Sequence, residues 1–416
     1  MPQSDFSRRS FLARGTALGC SLAASPLLTP VTMASAPWDQ RLVVIILRGG
    51  MDGLDVVRPY GAPEFAALRG REFGAGPGGK RGPADLDGYF ALHPGLGGLM
   101  PLWQAGELGF VHAVSTPYRD KRSHFDGQDI LEAGSGGPGP GRIRDGWLNR
   151  LLQTVPGIET ETAYAIGRSD MLLTRGAAPV ANWSPDAALV LSPQAELLLE
   201  LVMHGDPLFR DATSEAIALS AGELQLMTGG EALEEGEMLN AMRENMTRAR
   251  GSERPESIAR FAAARLREET RIASFSLNGF DTHARQGRGL GQALDRLQNV
   301  ILTLRDGLGP VWQKTAVVAM TEFGRMARIN GTGGTDHGTG GAMLLAGGAV
   351  RGGRVVADWP GLDEADLYDR RDLMPTRDLR AHAAWMMRGL FGIDGSVLEG
   401  AVFPGLDMGD DPGLLL

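Results

Sequence analysis

Arg41-Leu42-Val43-Val44-Ile45-Ile46-Leu47 is a nearly unbroken apolar run, the pattern of a strand buried on both faces. Comparable runs recur at Leu108–Val114, Arg271–Leu277, Thr315–Met320 and Ala342–Ala346. Helical spacing appears between them at Leu96–Ala105 and Gly291–Asp306, and a helix start at Ser123 opens a segment reaching about Ala133. Strands buried on both faces and alternating with helices restrict the chain to the α/β class, as a three-layer α/β/α sandwich around a mostly parallel central sheet. Each run stops at glycine and polar residues. The first ends in Gly49-Gly50-Met51-Asp52-Gly53-Leu54-Asp55, the third in Asn278-Gly279-Phe280-Asp281-Thr282-His283, the fourth in Thr321-Glu322-Phe323-Gly324-Arg325. In open parallel sheets the ligand crevice lies outside the carboxyl ends of the strands, so these loops are where function is expected. Asp336 and His337 precede their strand instead, and their loop is expected to fold back over the same edge.

Composition narrows the function classes. The 59 glycines among 416 residues follow no fixed period, which excludes collagen and points to tight turns and close backbone approaches. A net charge of −9 argues against nucleic-acid or anionic-membrane binding. Cys20 is the single cysteine, so no intramolecular disulfide forms. Ser7-Arg8-Arg9-Ser10-Phe11-Leu12 precedes a weakly apolar stretch to about Met33 and matches a twin-arginine export signal. Pro26 and Pro30 interrupt that stretch, so it is not expected to be a stable membrane span. The expected organisation is a signal peptide at 1–36, cleaved after Ala34 or Ala36, and a domain at 37–416 with a helix-rich insertion at about 194–270. That places the mature protein in the periplasm or outside the cell, with the twin-arginine translocase as its partner during export. A route that exports folded proteins suits one that acquires a metal first.

The polar residues at the strand ends favour a metal site. Asp281 and His283 project to one side if their segment is extended, giving a carboxylate–imidazole half-site; the same pair also reads as a buried histidine held by an aspartate. Glu322 is a candidate ligand, and equally a helix cap or a partner for Arg325. Asp336 and His337 sit in the stretch Gly334-Thr335-Asp336-His337-Gly338-Thr339-Gly340-Gly341, where little can crowd them. With Asp52, these residues form a candidate set for one or two divalent cations, Zn²⁺ or Mn²⁺ ahead of Ca²⁺ because imidazole is present. Ser123 reads as an N-cap with Asp126 in the reciprocal position, yet a helix N-terminus also stabilises an oxyanion, which makes the same hydroxyl a candidate nucleophile. Arg122 and Arg325 are candidates for clamping an anionic substrate, with Lys121 adding local positive charge, and His124 is read as a supporting residue. No Gly-x-Ser-x-Gly elbow and no His-Glu-x-x-His is present, and the Gly-rich stretch Gly74–Gly79 lacks the strand-to-helix turn of a nucleotide site.

Taken jointly, the twin-arginine start, "LRGGMDGLDVVRPYG", "RSHFDGQDILEAG", "GFDTH", "TEFGR" and "GTDHGTGGAMLLAGGAV" resemble the exported family known as domain of unknown function fifteen-oh-one. That family is similar to the alkaline phosphatase, sulfatase and phosphoglycerate mutase superfamily. The resemblance implies an alkaline-phosphatase-like fold with two metal ions, acting on phosphate or sulfate esters through a Ser, Thr or modified Cys nucleophile. Under it, Asp52 resembles the first-strand metal aspartate, with Asp55 its rival, and Ser123 the helix-start nucleophile. Asp281 and His283 resemble paired ligands, Glu322 the acid of an Asp-His pair, and His337 the last metal histidine. Two departures stand out. The pair is Asp-x-His where the superfamily has Asp-x-x-x-His, and Phe323 stands where the histidine of the Asp-His pair is expected, leaving Asp336 to compensate. The implied activity is an exported metal-dependent hydrolase acting on a small anionic ester or glycan. The alternatives are a non-catalytic envelope protein binding such a ligand through a degenerate site and, third, a phosphotransferase or mutase.

Overall fold

The structure is a computed structural model that describes residues 38–78, 82–119, 122–137, 143–155, 158–167, 171–183 and 255–416. The proposed signal peptide and most of the expected insertion lie outside the described residues. Of the insertion, the described part is a helix, Pro255–Leu266, and the turn after it.

Among the described residues, a nine-stranded sheet organises the molecule. In chain order its strands are β1 (Arg41–Arg48), β2 (Leu108–Ser115), β3 (Ala163–Ile166), β4 (Ala181–Trp183), β5 (Ile272–Asn278), β6 (Thr315–Met320), β7 (Gly341–Ala346), β8 (Val355–Val356) and β9 (Arg377–Asp378). Across the sheet the order is β8-β2-β7-β6-β1-β5-β3-β4, and β9 also pairs with β2. All neighbours run parallel except β7, which is antiparallel to both β2 and β6. The sheet is therefore mixed and mostly parallel. The reversal of β7 changes one expectation. Residues preceding an antiparallel strand already lie at the edge where the parallel strands end, so the loop carrying Asp336 and His337 needs no fold-back.

Alternation along β1 builds the three layers. Val43, Ile45 and Leu47 face one core, Leu42, Val44 and Ile46 the other, and all six are buried. On the first face lie helices Pro255–Leu266 and Gln286–Leu308, through Phe261, Leu294, Leu297 and Ile301. On the second lie Trp147–Gln153 and Leu379–Phe391, through Leu148, Leu151, Ala384 and Met387. Helix α1 (His124–Ala133) starts just past β2, and helix α2 (Gln286–Leu308) starts five residues before the expected Gly291. The predicted helix at 96–105 is a tight turn over Pro94–Leu99 running into a short α-helix, Met100–Gln104. Three glycines between Pro94 and Leu99 lack the side chains that would favour the wider helix. Among the described residues, no helix is long and apolar enough to cross a membrane.

Candidate metal centre

Backbone pairing shapes the platform first. The segment at 324–326 lies antiparallel to 336–338, with Met326 N donating to Asp336 O at 3.0 Å and Gly338 N to Gly324 O at 2.9 Å. Thr335 N donates to Thr282 O at 3.1 Å, tying the same loop to the segment after β5. A Cβ on Gly334 would lie 2.3 Å from the carbonyl carbon of His283, and one on Gly338 would lie 2.4 Å from that of Arg325. The glycines are needed because three stretches of bare backbone must touch for His337 to reach His283.

Four donors then converge. His124, Asp281, His283 and His337 each offer one ligand atom, all within 4.8 Å of one another. Asp281 Oδ1 lies 3.0 Å from His283 Nε2 and 3.5 Å from both His124 Nε2 and His337 Nε2. The Nε2 atoms of His283 and His337 are 2.9 Å apart. Donors about 2.0–2.1 Å from a tetrahedral ion stand about 3.3 Å from each other, so these separations match the edges of such a shell.

The outer ring nitrogens explain why the inner ones point inward. His124 Nδ1 meets Glu322 Oε1 at 2.9 Å, His283 Nδ1 meets Asp336 Oδ1 at 3.3 Å, and His337 Nδ1 meets the Arg122 carbonyl at 2.8 Å. Carboxylates and carbonyls only accept, so each Nδ1 carries a proton, and in the neutral ring each Nε2 keeps its lone pair, with Arg325 Nη1 3.5 Å from that of His283. Two lone pairs at 2.9 Å repel unless a proton or a metal cation lies between them. His124 Nε2 is moreover buried without a hydrogen-bond partner among the described residues. The donor set therefore fits a divalent ion on its own chemistry.

Protonation preferences follow the surroundings. Burial and the Arg325 guanidinium push the His337 imidazole down to about 4, keeping it neutral near pH 7. The hydrogen bond to Glu322 pulls His124 up. Burial opposes ionisation of Glu322 and of Asp281. Bonds from His124, Gln128 and the Gly49 amide outweigh it for Glu322, and the Arg325 guanidinium outweighs it for Asp281, so both carboxyls stay below their usual range. Asp281 and His283 side chains are 49% and 45% exposed, which opens the cluster to solvent on one side.

Other expected residues lie elsewhere. Glu322 and Asp336 meet histidines from behind and are not among the four donors; Glu322 is fully buried, its Oε2 accepting from Thr321 Oγ1. Asp52 is also outside the cluster. It is completely buried and held bidentate by Arg69, Nη1 to Oδ2 at 2.5 Å and Nη2 to Oδ1 at 2.9 Å. Arg325 is spent on structure. It donates to the carbonyls of Gly49, Gly50, Phe280 and Thr335 and to Asp281 Oδ1 at 2.6 Å, and its side chain is buried, which removes it as a substrate clamp. Ser123 caps α1, with Oγ accepting from Asp126 N at 3.4 Å, and its own amide donates to the Tyr118 hydroxyl at 2.6 Å. Arg122 has a positive φ of 52° and lines a cleft with Tyr118, Gly338, Thr339, Tyr368 and Arg371. Lys121 lies outside the described residues. His124, read from sequence as supporting, belongs to the cluster; its place just past β2, at the edge where the other strands deliver Asp281 and His337, is the signal that marks it.

The chain belongs to the family described as "Protein of unknown function (DUF1501)", matching it over residues 111–399. No curated protein matches the chain in sequence. Among solved structures it is similar to the lipoteichoic acid synthase LtaP from Listeria monocytogenes, at 9% identity and a TM-score of 0.37, over 93% of this chain and 78% of that one. It is also similar to a mutant of TAB5 alkaline phosphatase with Mg bound in its M3 site, at 10% identity and a TM-score of 0.34, over 77% of this chain and 94% of that one. Neither likeness assigns a role to a residue here.

Proposed function

We propose that this DUF1501 member is an exported metal-dependent hydrolase of phosphate, sulfate or related esters, with Ser123 as nucleophile. The observation that carries the reading is the tautomer pattern. Three histidines, each anchored at Nδ1, aim bare Nε2 atoms at the Oδ1 of one carboxylate. His124, Asp281, His283 and His337 would hold a divalent ion, which when bound supplies Lewis-acid polarisation of the ester oxygens. Ser123 is the residue before His124 and sits at the N-terminus of α1, whose amides favour developing negative charge. Its attack on phosphorus or sulfur forms the serine ester and expels an alcohol, which leaves with the hydroxyl proton; water then hydrolyses the serine ester. Arg122 lines the neighbouring cleft and offers a guanidinium to an anionic substrate.

One observation favours the second reading, a non-catalytic envelope protein that binds an anion or glycan. Four protein donors are the count of a closed site, whereas a catalytic zinc site keeps one position open. A screen of phospho- and sulfo-esters with Zn²⁺ or Mn²⁺ separates the two. Turnover that stops in Ser123→Ala while metal is retained is the expected result. No turnover, together with ligand binding that depends on the same cluster, supports the binding protein instead.

A further inference from the structure

Beneath the cluster lies a buried polar set that the reading above leaves idle. Asp52 and Asp55 are both fully buried, at the end of β1. Asp55 Oδ1 accepts from Arg58 Nη2 at 2.6 Å. Gln286, also fully buried, joins the two acids: its Nε2 donates to Asp52 Oδ2 at 2.7 Å and to Asp55 Oδ2 at 3.0 Å. Its Oε1 accepts from Thr282 Oγ1 at 3.0 Å and from Thr335 Oγ1 at 2.7 Å. Thr282 lies between Asp281 and His283, and Thr335 precedes Asp336, so Gln286 pins both site-bearing loops to the end of β1.

We propose that the centre holds a single ion, and that the Arg69 guanidinium takes the place a second cation would fill beside Asp52. This rests on the metal reading above and adds the number of ions. Two carboxylates face two guanidiniums, and all four carboxylate oxygens are already occupied by N–H donors. A second cation would have to displace Arg69, whose charged end is buried with its partner, and would leave that guanidinium unpaired in a dry interior. Gln286 presents its N–H end to both acids, and an N–H donor is not a cation ligand. Despite complete burial, the Asp52 carboxyl stays below its usual range because Arg69 is beside it. The four-donor centre has three imidazoles and one carboxylate, a donor set for a zinc-class ion rather than for Mg²⁺ or Ca²⁺.

The test is a metal count on full-length chelator-treated protein reloaded with Zn²⁺ or Co²⁺, with and without excess Mg²⁺, and desalted. The expected result is one ion per chain, unchanged by Mg²⁺, and for Co²⁺ the intense visible bands of a tetrahedral site. His283→Ala should lower the count to zero, and Asp52→Asn should keep it at one. Two ions per chain, with one lost in Asp52→Asn, overturns the inference while leaving the metal reading intact. No ion in folded wild-type protein overturns both. Should Asp52→Asn fail to fold, the wild-type count with and without Mg²⁺ decides alone.

Discussion

At the scale of single residues, hydrogen bonds behind the histidines decide what the cluster can bind. Glu322 contributes through His124 rather than as a donor, so Glu322→Gln keeps the shape but weakens the anchor. Lost outer partners typically reduce metal affinity 10–100-fold, and a loss in that range is expected in a competition titration with a metallochromic chelator. Unchanged affinity would show that His124 needs no anchor. Ser123 holds two competing roles, and the length of its capping bond helps to weigh them. At 3.4 Å the bond is at the long limit for a hydroxyl acceptor. Ser123→Ala should therefore cost near the low end of capping losses, about 0.5 kcal/mol, while abolishing turnover with metal still bound. Ser123→Asp should recover the cap without recovering turnover. Near wild-type rates in Ser123→Ala would remove the serine from the mechanism and leave direct attack by water.

At the scale of elements, what was legible in the sequence was what depends on neighbours along the chain. Burial of β1 on both faces is written in seven consecutive residues, and β6 begins and ends where its apolar run does. The direction of β7 was not legible, because it is set by pairing with β2 and β6 far away in sequence. The pairing of Asp52 was not legible for the same kind of reason. Its partner Arg69 sits on the helix Phe65–Phe73, and nothing near Asp52 in the chain announces a bidentate pair. The Gly334 loop was legible as a bare platform, although its purpose, backbone contact with 282–283, needed the structure. Gly334→Ala tests that purpose. Its Cβ would meet Thr282 O at 2.4 Å, so the loop must shift, at about 1–3 kcal/mol. The expected outcome is weaker metal binding with a lowered melting temperature. Normal metal affinity in this variant would mean that the loop has slack.

At the scale of the whole molecule, buried histidines away from the cluster link stability to pH: burial lowers His93, and His112 and His382 further. His112 accepts from Ala113 N at Nδ1 and meets Val57 O at Nε2, so the neutral ring is already satisfied. Neither ring nitrogen of His382 has a hydrogen-bond partner among the described residues. Burial pushes both down to about 4, from about 6.5 in the unfolded chain. Folded pKa values below the unfolded ones mean that the unfolded chain binds more protons between those limits. Stability is then complete above about pH 6.5 and falls as pH drops toward 4, by about 1.4 kcal/mol per unit for each histidine. Urea unfolding of chelator-treated protein at pH 7.5 and 5 checks this, and His382→Leu should flatten the slope. A slope unaffected by that substitution would place the acid sensitivity elsewhere. Calorimetric titration of Zn²⁺ into chelator-treated wild type, His124→Ala, His283→Ala and His337→Ala checks whether these four side chains, Asp281 among them, make one metal centre. Saturable binding in wild type is expected, with at least a tenfold loss in every variant that remains folded. Folded wild type that takes up no zinc, or variants that bind it as tightly as wild type, would contradict it.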